Sequence, residues 1–230
     1  MGIFRKKKTL KVSEIKKKRK HTDLSLEEKH VLWNDRWQRD DFDPPWNLRE
    51  FPAWIEHIID NRQILPGASI LDIGCGSGFL SAELSRRGFS LTGFDFSDTA
   101  VKRALERFGE TEGVLKFFTA DATKELPFQD QYDIAIDRGT LHTIPMENRE
   151  GYANIISNTL KSGGVLFIMY AAKIARKLPG ETDSSSADKL KSHILDHFSE
   201  KLDLIDLREQ ELQTWEGENE KAYLIELRKM

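Results

Sequence analysis

Residues 70–78 read Ile-Leu-Asp-Ile-Gly-Cys-Gly-Ser-Gly, and this stretch decides the fold class. A short apolar run ends at Ile73, a glycine turn follows, and residues 79–84 can begin a helix. The succession of strand, glycine turn and helix is typical of the first unit of a nucleotide-binding α/β sheet. Glycine lets the backbone turn sharply and approach a ligand, while the helix N-terminus offers free N–H groups to it.

The alternation of strand and helix continues along the chain. Strand-like apolar runs alternate with runs of helical period, the strands at 69–73, 90–94, 114–119, 132–136 and 165–170 and the helices at 78–87, 98–108 and 147–160. After a helix at 187–198, residues 202–208 and 221–228 read as two strands that form a hairpin. This order predicts a doubly wound, Rossmann-like sheet of seven strands, mostly parallel with an antiparallel C-terminal strand, and with helices on both faces.

Length and composition fit one globular domain. The chain has 230 residues, of which 39% are hydrophobic and 32% charged, and a single cysteine. One cysteine excludes a disulfide framework and a cysteine-based metal cluster. No apolar run approaches the ~20 residues of a membrane span, and no signal peptide is recognisable, so we expect a cytoplasmic protein. The domain should cover residues 23–230, with an N-terminal helical lid (23–65), a core (66–170) and a C-terminal part of the sheet with substrate loops (171–230).

The net charge of −3 conceals a basic N-terminus. Residues 1–20 contain ten Lys or Arg and one acid, Glu14. Such a run predicts a basic, disordered tail over residues 1–22. A weak contact with nucleic acid or anionic lipid, or a localisation signal, is the functional alternative.

Two details separate the glycine turn from a dinucleotide site. The dinucleotide pattern is G-x-G-x-x-G, whereas position 79 here is Phe and the third glycine comes one place earlier. An acid before the turn would repel a pyrophosphate but would suit a ligand that carries an ammonium group and a sulfonium. Here the chain resembles the class I S-adenosylmethionine (SAM)-dependent methyltransferases, whose first motif has this form. The resemblance implies SAM as cofactor, S-adenosylhomocysteine as product, and cofactor contacts from Asp72, Gly74, Cys75, Gly76 and Gly78.

An acid stands close to the carboxyl end of four consecutive strands: Asp72, Asp95, Asp121 and Asp137. Ligands in such sheets bind outside the carboxyl ends of the strands, so these acids are expected to face one site. Asp95 follows the glycine turn by about 20 residues, where a carboxylate can accept both ribose hydroxyls. Phe96 can pack on an adenine face or in the core. Asp121-Ala122 resembles the family's adenine-edge motif, in which the carboxylate accepts from the adenine amino group and a backbone N–H donates to a ring nitrogen.

Residues 137–142 read Asp-Arg-Gly-Thr-Leu-His and follow the fourth strand. The resemblance implies that the methionine moiety and the substrate bind here. Asp137 can take the ligand's ammonium group or pair with Arg138. His142 can act as a general base, or it packs or caps as lone histidines often do. We therefore take Asp137, His142 and Tyr170 as the candidate catalytic residues.

The N-terminal segment carries spaced tryptophans. Two segments have a helical pattern, 25–39 and 47–62. The first contains residues 33–37 (Trp-Asn-Asp-Arg-Trp), and residues 44–47 (Pro-Pro-Trp-Asn) lead into the second. This spacing resembles the lid segment of thiopurine, thiol/halide and tellurite methyltransferases, and residues 137–142 are similar to tellurite-resistance-like members. The resemblance implies that the lid folds over the cofactor, with contacts from Trp33, Trp37 and Trp46. A permanently packed helix pair is the structural alternative.

These patterns together predict an enzyme that transfers a methyl group from SAM to a small-molecule nucleophile with a sulfur, selenium, tellurium or oxygen acceptor. The Asn/Asp-Pro-Pro-aromatic pattern of amino-adenine methylation is absent after the fourth strand, and Cys75 is misplaced for cytosine C5 methylation. The alternatives are an RNA or protein methyltransferase that uses the basic tail, a non-catalytic SAM-binding protein, and a dinucleotide oxidoreductase, which Phe79 and Asp72 oppose.

Overall fold

Seven strands organise the part of the chain that the computed structural model describes, residues 11–13, 15, 24–61, 63–129, 131–215 and 219–230. They are β1 (Ser69–Ile73), β2 (Ser90–Asp95), β3 (Leu115–Thr119), β4 (Tyr132–Asp137), β5 (Leu160–Ala171), β6 (Leu202–Leu212) and β7 (Glu220–Lys229). They form one sheet in the order β3-β2-β1-β4-β5-β7-β6. The first five pair in parallel, whereas β7 pairs antiparallel with both β5 and β6. The predicted sheet is confirmed.

Helices cover both faces of this sheet: α1 (Leu26–Trp37), α2 (Ala53–Asp60), α3 (Phe79–Arg86), α4 (Asp98–Phe108), α5 (Arg149–Thr159), α6 (Ala172–Ala175) and α7 (Ser186–Phe198). Alternate residues of a strand point to opposite faces. On β5, Leu166 and Ile168 therefore join an apolar cluster with α5 and α7, whereas Phe167 and Met169 join a second cluster with α2, α3 and α4. Burial on both faces fixes the sheet between two helical layers and leaves its carboxyl edge open for a site.

Two elements begin five or six residues away from the positions that the sequence predicts. α2 begins at Ala53 rather than at residue 47, because Pro52 lacks a backbone N–H and disfavours helical conformation in the residue before it. β5 begins at Leu160 rather than at residue 165, and it runs through Gly163 and Gly164. Gly164 is required there, because a Cβ would lie 2.9 Å from the Lys161 carbonyl oxygen.

Most of the predicted basic tail lies outside the described residues. Ile15 is described, and it is 4% exposed and packs with Leu24 and Leu32 in a small apolar cluster. Ile15 therefore takes part in apolar packing, as the gain from burying an isoleucine side chain favours. The basic, disordered tail over residues 1–22 and the division of the chain into tail and domain stay predictions. Within the described ranges, no helix is long and apolar enough to cross a membrane.

Candidate functional site

A cavity of about 570 Å³ opens at the carboxyl ends of β1, β2 and β4, where the strand order reverses. Its volume is that of a pocket for a drug-sized ligand, roughly 300–1,000 Å³. Most of the predicted site residues line it, namely Trp33, Trp37, Trp46, Asp72, Gly74, Cys75, Gly76, Asp95, Phe96, Asp121, Ala122 and His142. The cavity lining does not include Gly78, Asp137 or Tyr170.

The glycine loop is held by close contacts with its neighbours. Gly74, Gly76 and Gly78 have φ angles of 69°, 54° and 79°, which L side chains rarely adopt. A Cβ on Gly74 would lie 2.0 Å from Oγ1 of Thr140, whose hydroxyl donates to the Ile73 carbonyl at 3.0 Å. A Cβ on Gly78 would lie 2.7 Å from the Cβ of Ala104 on α4. Gly78 therefore serves the packing of the loop against α4, which is why it does not reach the cavity.

Asp72 and Asp95 are buried carboxylates at the cavity wall, 3% and 6% exposed. Asp72 accepts a hydrogen bond from the Ser81 hydroxyl at 2.6 Å. Asp95 accepts from the backbone N–H groups of Gly76 at 3.1 Å and Ser97 at 2.9 Å, so it ties the glycine loop to the end of β2. Burial raises the pKa of both carboxyls to about 6. A ligand that brings positive charge or hydrogen-bond donors to this wall would favour their ionised forms.

His30 of α1 completes the wall beside Phe96, and the sequence analysis missed it. Its imidazole stacks on the Phe96 ring, with centroids 4.3 Å apart and planes 13° apart. Nε2 of His30 lies 3.7 Å from Oδ2 of Asp121, a buried oxygen that accepts no well-aligned hydrogen bond, although the Lys124 ammonium is 3.3 Å away. The available signal was helical spacing, since residues three and seven positions apart share a helix face and Trp33 and Trp37 follow His30 at those intervals.

Asp137 does not line the cavity, so the structure does not bring it together with the other predicted cofactor-binding residues, and its predicted roles stay predictions. Its carboxylate is fully buried and accepts four hydrogen bonds, from three backbone N–H groups at 2.6–2.8 Å and from the Tyr152 hydroxyl at 2.5 Å. These bonds shape the turn after β4. Arg138 does not pair with it either, because its guanidinium donates to the carbonyls of Trp46 and Gln213, each at 2.7 Å.

Tyr170 lies behind His142 and does not line the cavity, so a catalytic role for Tyr170 stays a prediction. The two rings meet edge to face at 5.5 Å, and the Tyr170 hydroxyl accepts from the Arg149 guanidinium at 3.1 Å. His142 does line the cavity, and its Nδ1 faces the Ala171 N–H at 3.5 Å. Burial, followed by the charges of Arg149 and Lys173, lowers the pKa of His142 to about 3. The imidazole is therefore neutral near neutral pH, and its low basicity makes it a weak general base.

Residues 26–48, termed the cover, lie over the cavity. Within it, the rings of Trp33 and Trp46 meet edge to face at 5.9 Å, and Trp37 lies against the glycine loop at Gly76. The cover is joined to the rest of the chain at backbone carbonyls. Arg103 of α4 donates to the carbonyls of residues 39 and 42 at 2.6 and 3.3 Å. Trp215 donates to the carbonyl of residue 44 at 2.8 Å through its indole N–H. Its backbone N–H donates to the carbonyl of residue 45 at 3.0 Å.

Comparison with known proteins agrees with this geometry. Residues 70–164 match the family described as "Methyltransferase domain". An eEF1A lysine and N-terminal methyltransferase homolog of Drosophila pseudoobscura pseudoobscura is 31% identical over 126 residues, which cover 51% of this chain and 18% of that protein. A 2-heptyl-1-hydroxyquinolin-4(1H)-one methyltransferase of Mycobacteroides abscessus is 26% identical over 134 residues, 57% of this chain and 58% of that protein. The chain thus spans less than two thirds of the length of either relative.

Solved structures share the fold. A SAM-dependent methyltransferase from Methanosarcina mazei superposes with a TM-score of 0.61 at 22% identity, covering 80% of this chain and 99% of that one. At this identity the likeness concerns the fold, and the family match concerns residues 70–164. The matched residues 70–164 include the glycine loop and the carboxyl ends of β1, β2 and β4.

Proposed function

We propose that this chain, a member of the class I SAM-dependent methyltransferases, transfers the methyl group of SAM to a small-molecule nucleophile with a sulfur, selenium, tellurium or oxygen acceptor. The observation that carries the proposal is the cover, which lines one side of the cavity with three tryptophans and is hydrogen-bonded to the body of the domain. A concave, aromatic-lined cavity of this size suits a small acceptor. The finer likeness to thiopurine, thiol/halide and tellurite methyltransferases rests on the same tryptophans. A protein acceptor is the second candidate, because relatives named for eEF1A lysine methylation match this chain.

SAM is the cofactor of this family, and the acids of the cavity wall suggest its orientation. We assign the ribose hydroxyls to Asp95 and the positively charged methionine end to Asp72 and the glycine loop. The adenine is assigned to Phe96 and to Asp121-Ala122, where the unsatisfied Oδ2 of Asp121 can accept from an amino group. Since His30 stacks on Phe96, adenine reaches that ring only if His30 moves aside.

The reaction needs little acid–base help from the protein. A lone pair of the acceptor forms a bond to the methyl carbon while the carbon–sulfur bond of the sulfonium breaks, which leaves the neutral thioether of S-adenosylhomocysteine. Any acceptor proton passes to solvent. The protein contributes positioning and exclusion of water. A neutral His142 can orient the acceptor as a hydrogen-bond partner.

A methyl-transfer screen tests the proposal. The full chain is incubated with SAM and a panel of thiols, selenols, tellurite, phenols and hydroxy acids, together with lysine peptides and RNA, and S-adenosylhomocysteine is measured. We expect turnover with a small sulfur, selenium, tellurium or oxygen acceptor. Turnover confined to peptides or RNA would overturn the proposal, and so would cofactor binding without transfer to any member of the panel.

His142 should contribute little to the rate. Because its pKa lies near 3, the imidazole stays neutral between pH 5 and 8 and cannot supply the proton-transfer factor of about 10²–10⁴ that a positioned base gives. The variant His142→Gln should keep the rate within about tenfold and leave the pH profile of kcat/KM unchanged in shape. A larger loss with a hydroxyl acceptor, together with loss of an inflection in that profile, would restore the general base.

The cover should respond to the cofactor. Trp46 is 40% exposed, so Trp46→Ala removes a cavity wall without emptying the core, whereas Trp37 is 5% exposed. We expect Trp46→Ala to weaken S-adenosylhomocysteine binding and turnover together by about tenfold, in proportion to the lost apolar contact. Leu65→Ala, at an exposed position outside the cavity, is the control. Protease should cut the cover more slowly when S-adenosylhomocysteine is bound, and equal rates would indicate a permanently packed helix pair.

A further inference from the structure

Lys29 is a buried lysine whose ammonium forms no salt bridge with a carboxylate among the described residues. It is 6% exposed, lies on α1 and lines the cavity. Its ammonium donates to the Thr143 carbonyl at 2.6 Å, next to His142. An ammonium has three N–H donors, so two remain for other groups. Burying a charge without a counter-ion is costly, which makes an anion the favoured occupant of the adjacent space.

The surroundings of Lys29 are positively charged. Arg149 is 4% exposed and lies behind the cavity wall, where its guanidinium hydrogen-bonds to neutral groups of the described residues: the Ile144 carbonyl at 2.9 Å, the Tyr170 hydroxyl at 3.1 Å and the His193 ring at 2.7 Å. Lys173 and Lys177 line the same end of the cavity. The acid that lines this end, Glu220, already pairs with Lys173 at 2.6 Å. Lys29 therefore lines this end of the cavity without a salt bridge to a carboxylate among the described residues. Burial and the charge of Arg149 lower the pKa of Lys29, and the charge of Glu147, which forms no salt bridge with it, raises that pKa.

We propose that the methyl acceptor is a small carboxylate, and that Lys29 is the residue that binds its charged group. The inference rests on the proposed function, because it names the substrate class of that same site. An ammonium–carboxylate pair in a water-excluded cavity is a charge-assisted interaction that a neutral analogue cannot make. The same cations repel a protonated amine, so a lysine side chain is disfavoured as acceptor.

Benzoate and benzamide provide a matched pair of probes, since they share shape and differ in charge. Each is titrated calorimetrically into the full chain saturated with S-adenosylhomocysteine, or into the free chain should that product not bind. We expect benzoate to bind at least about tenfold more tightly than benzamide, as a hydrogen bond to a charged group predicts. Lys29→Met should lose at least about tenfold in benzoate affinity while its benzamide affinity stays within about threefold, and Lys29→Arg should retain the selectivity.

The control removes the same charge elsewhere. Lys102 on α4 is exposed and pairs with Glu106 at 3.7 Å outside the cavity, so Lys102→Met should bind benzoate as the wild type does. Equal binding of benzoate and benzamide by the wild type would overturn the inference, and so would equal weakening of both probes in Lys29→Met. The comparison of benzoate with benzamide in the wild type needs no variant, so it tests the inference even if Lys29→Met folds poorly. Failure of the proposed function is read separately, as absence of methyl transfer in the screen.

Discussion

Replacing Asp95 with alanine is expected to weaken S-adenosylhomocysteine binding by at least about 100-fold while the domain stays folded. Two hydrogen bonds from the ribose to an ionised group contribute roughly 1.5–3 kcal/mol each, and 1.4 kcal/mol corresponds to a factor of ten. The loss also frees the Gly76 N–H, which Asp95 holds at 3.1 Å. Titration calorimetry measures the affinity, and thermal unfolding measures the fold.

Asp98→Ala serves as the control for this prediction. Asp98 is an exposed acid three residues later, in the first turn of α4, and it does not line the cavity. Its removal changes the net charge equally and should leave the affinity within about threefold, since an exposed charge is strongly screened. An Asp95→Ala protein that binds the product as tightly as the wild type would refute the ribose assignment.

The second large effect is expected from Gly74→Ala, which should lower the melting temperature by at least about 5 °C and abolish cofactor binding. An L residue at positive φ costs about 1–2 kcal/mol, and overpacking adds about 1–3 kcal/mol. The overpacking arises because the new Cβ would lie 2.0 Å from the Thr140 Oγ1. In a chain of this size, each kcal/mol shifts the melting temperature by about 2–4 °C.

Gly113→Ala separates the two contributions. Gly113 has a φ of 72°, close to the 69° of Gly74, but a Cβ there would meet no atom within 4 Å. Its substitution should therefore cost only the backbone term, about 1–2 kcal/mol, and leave cofactor binding intact. In the double variant Gly74→Ala with Thr140→Ala, part of the lost stability should return. Equal melting temperatures for Gly74→Ala and Gly113→Ala would show that the contact with Thr140 is relieved at no cost.

The features predictable from sequence are those set by short-range backbone chemistry. The position of the glycine loop and of Asp95 at the cavity is predictable, because glycine spacing and the alternation of strand and helix determine where the chain turns. Asp137 looks the same in sequence as Asp95, an acid at a strand end. Its different role depends on Tyr152, which reaches it from α5 and is distant along the chain.

Other differences between the predicted and the observed positions of residues come from contacts between elements. Tyr170 has the same parity along β5 as Leu166 and Ile168, so strand alternation already indicated the buried cluster rather than the cavity. Lys29 and His30 gave a weaker signal. Their helix was predicted, but which of its faces meets the strand ends follows from the path of residues 38–48, which no local pattern specifies.

The cover is attached to the rest of the chain through its backbone carbonyls. Arg103, Arg138 and Trp215 donate to five carbonyls between residues 39 and 46. Every amino acid carries a carbonyl, so these hydrogen bonds do not depend on which side chains the segment presents. Of residues 39–46, Pro45 and Trp46 line the cavity. Their side chains can therefore be exchanged to reshape the cavity wall while the backbone hydrogen bonds hold the segment in place, provided that the three donors are left unchanged.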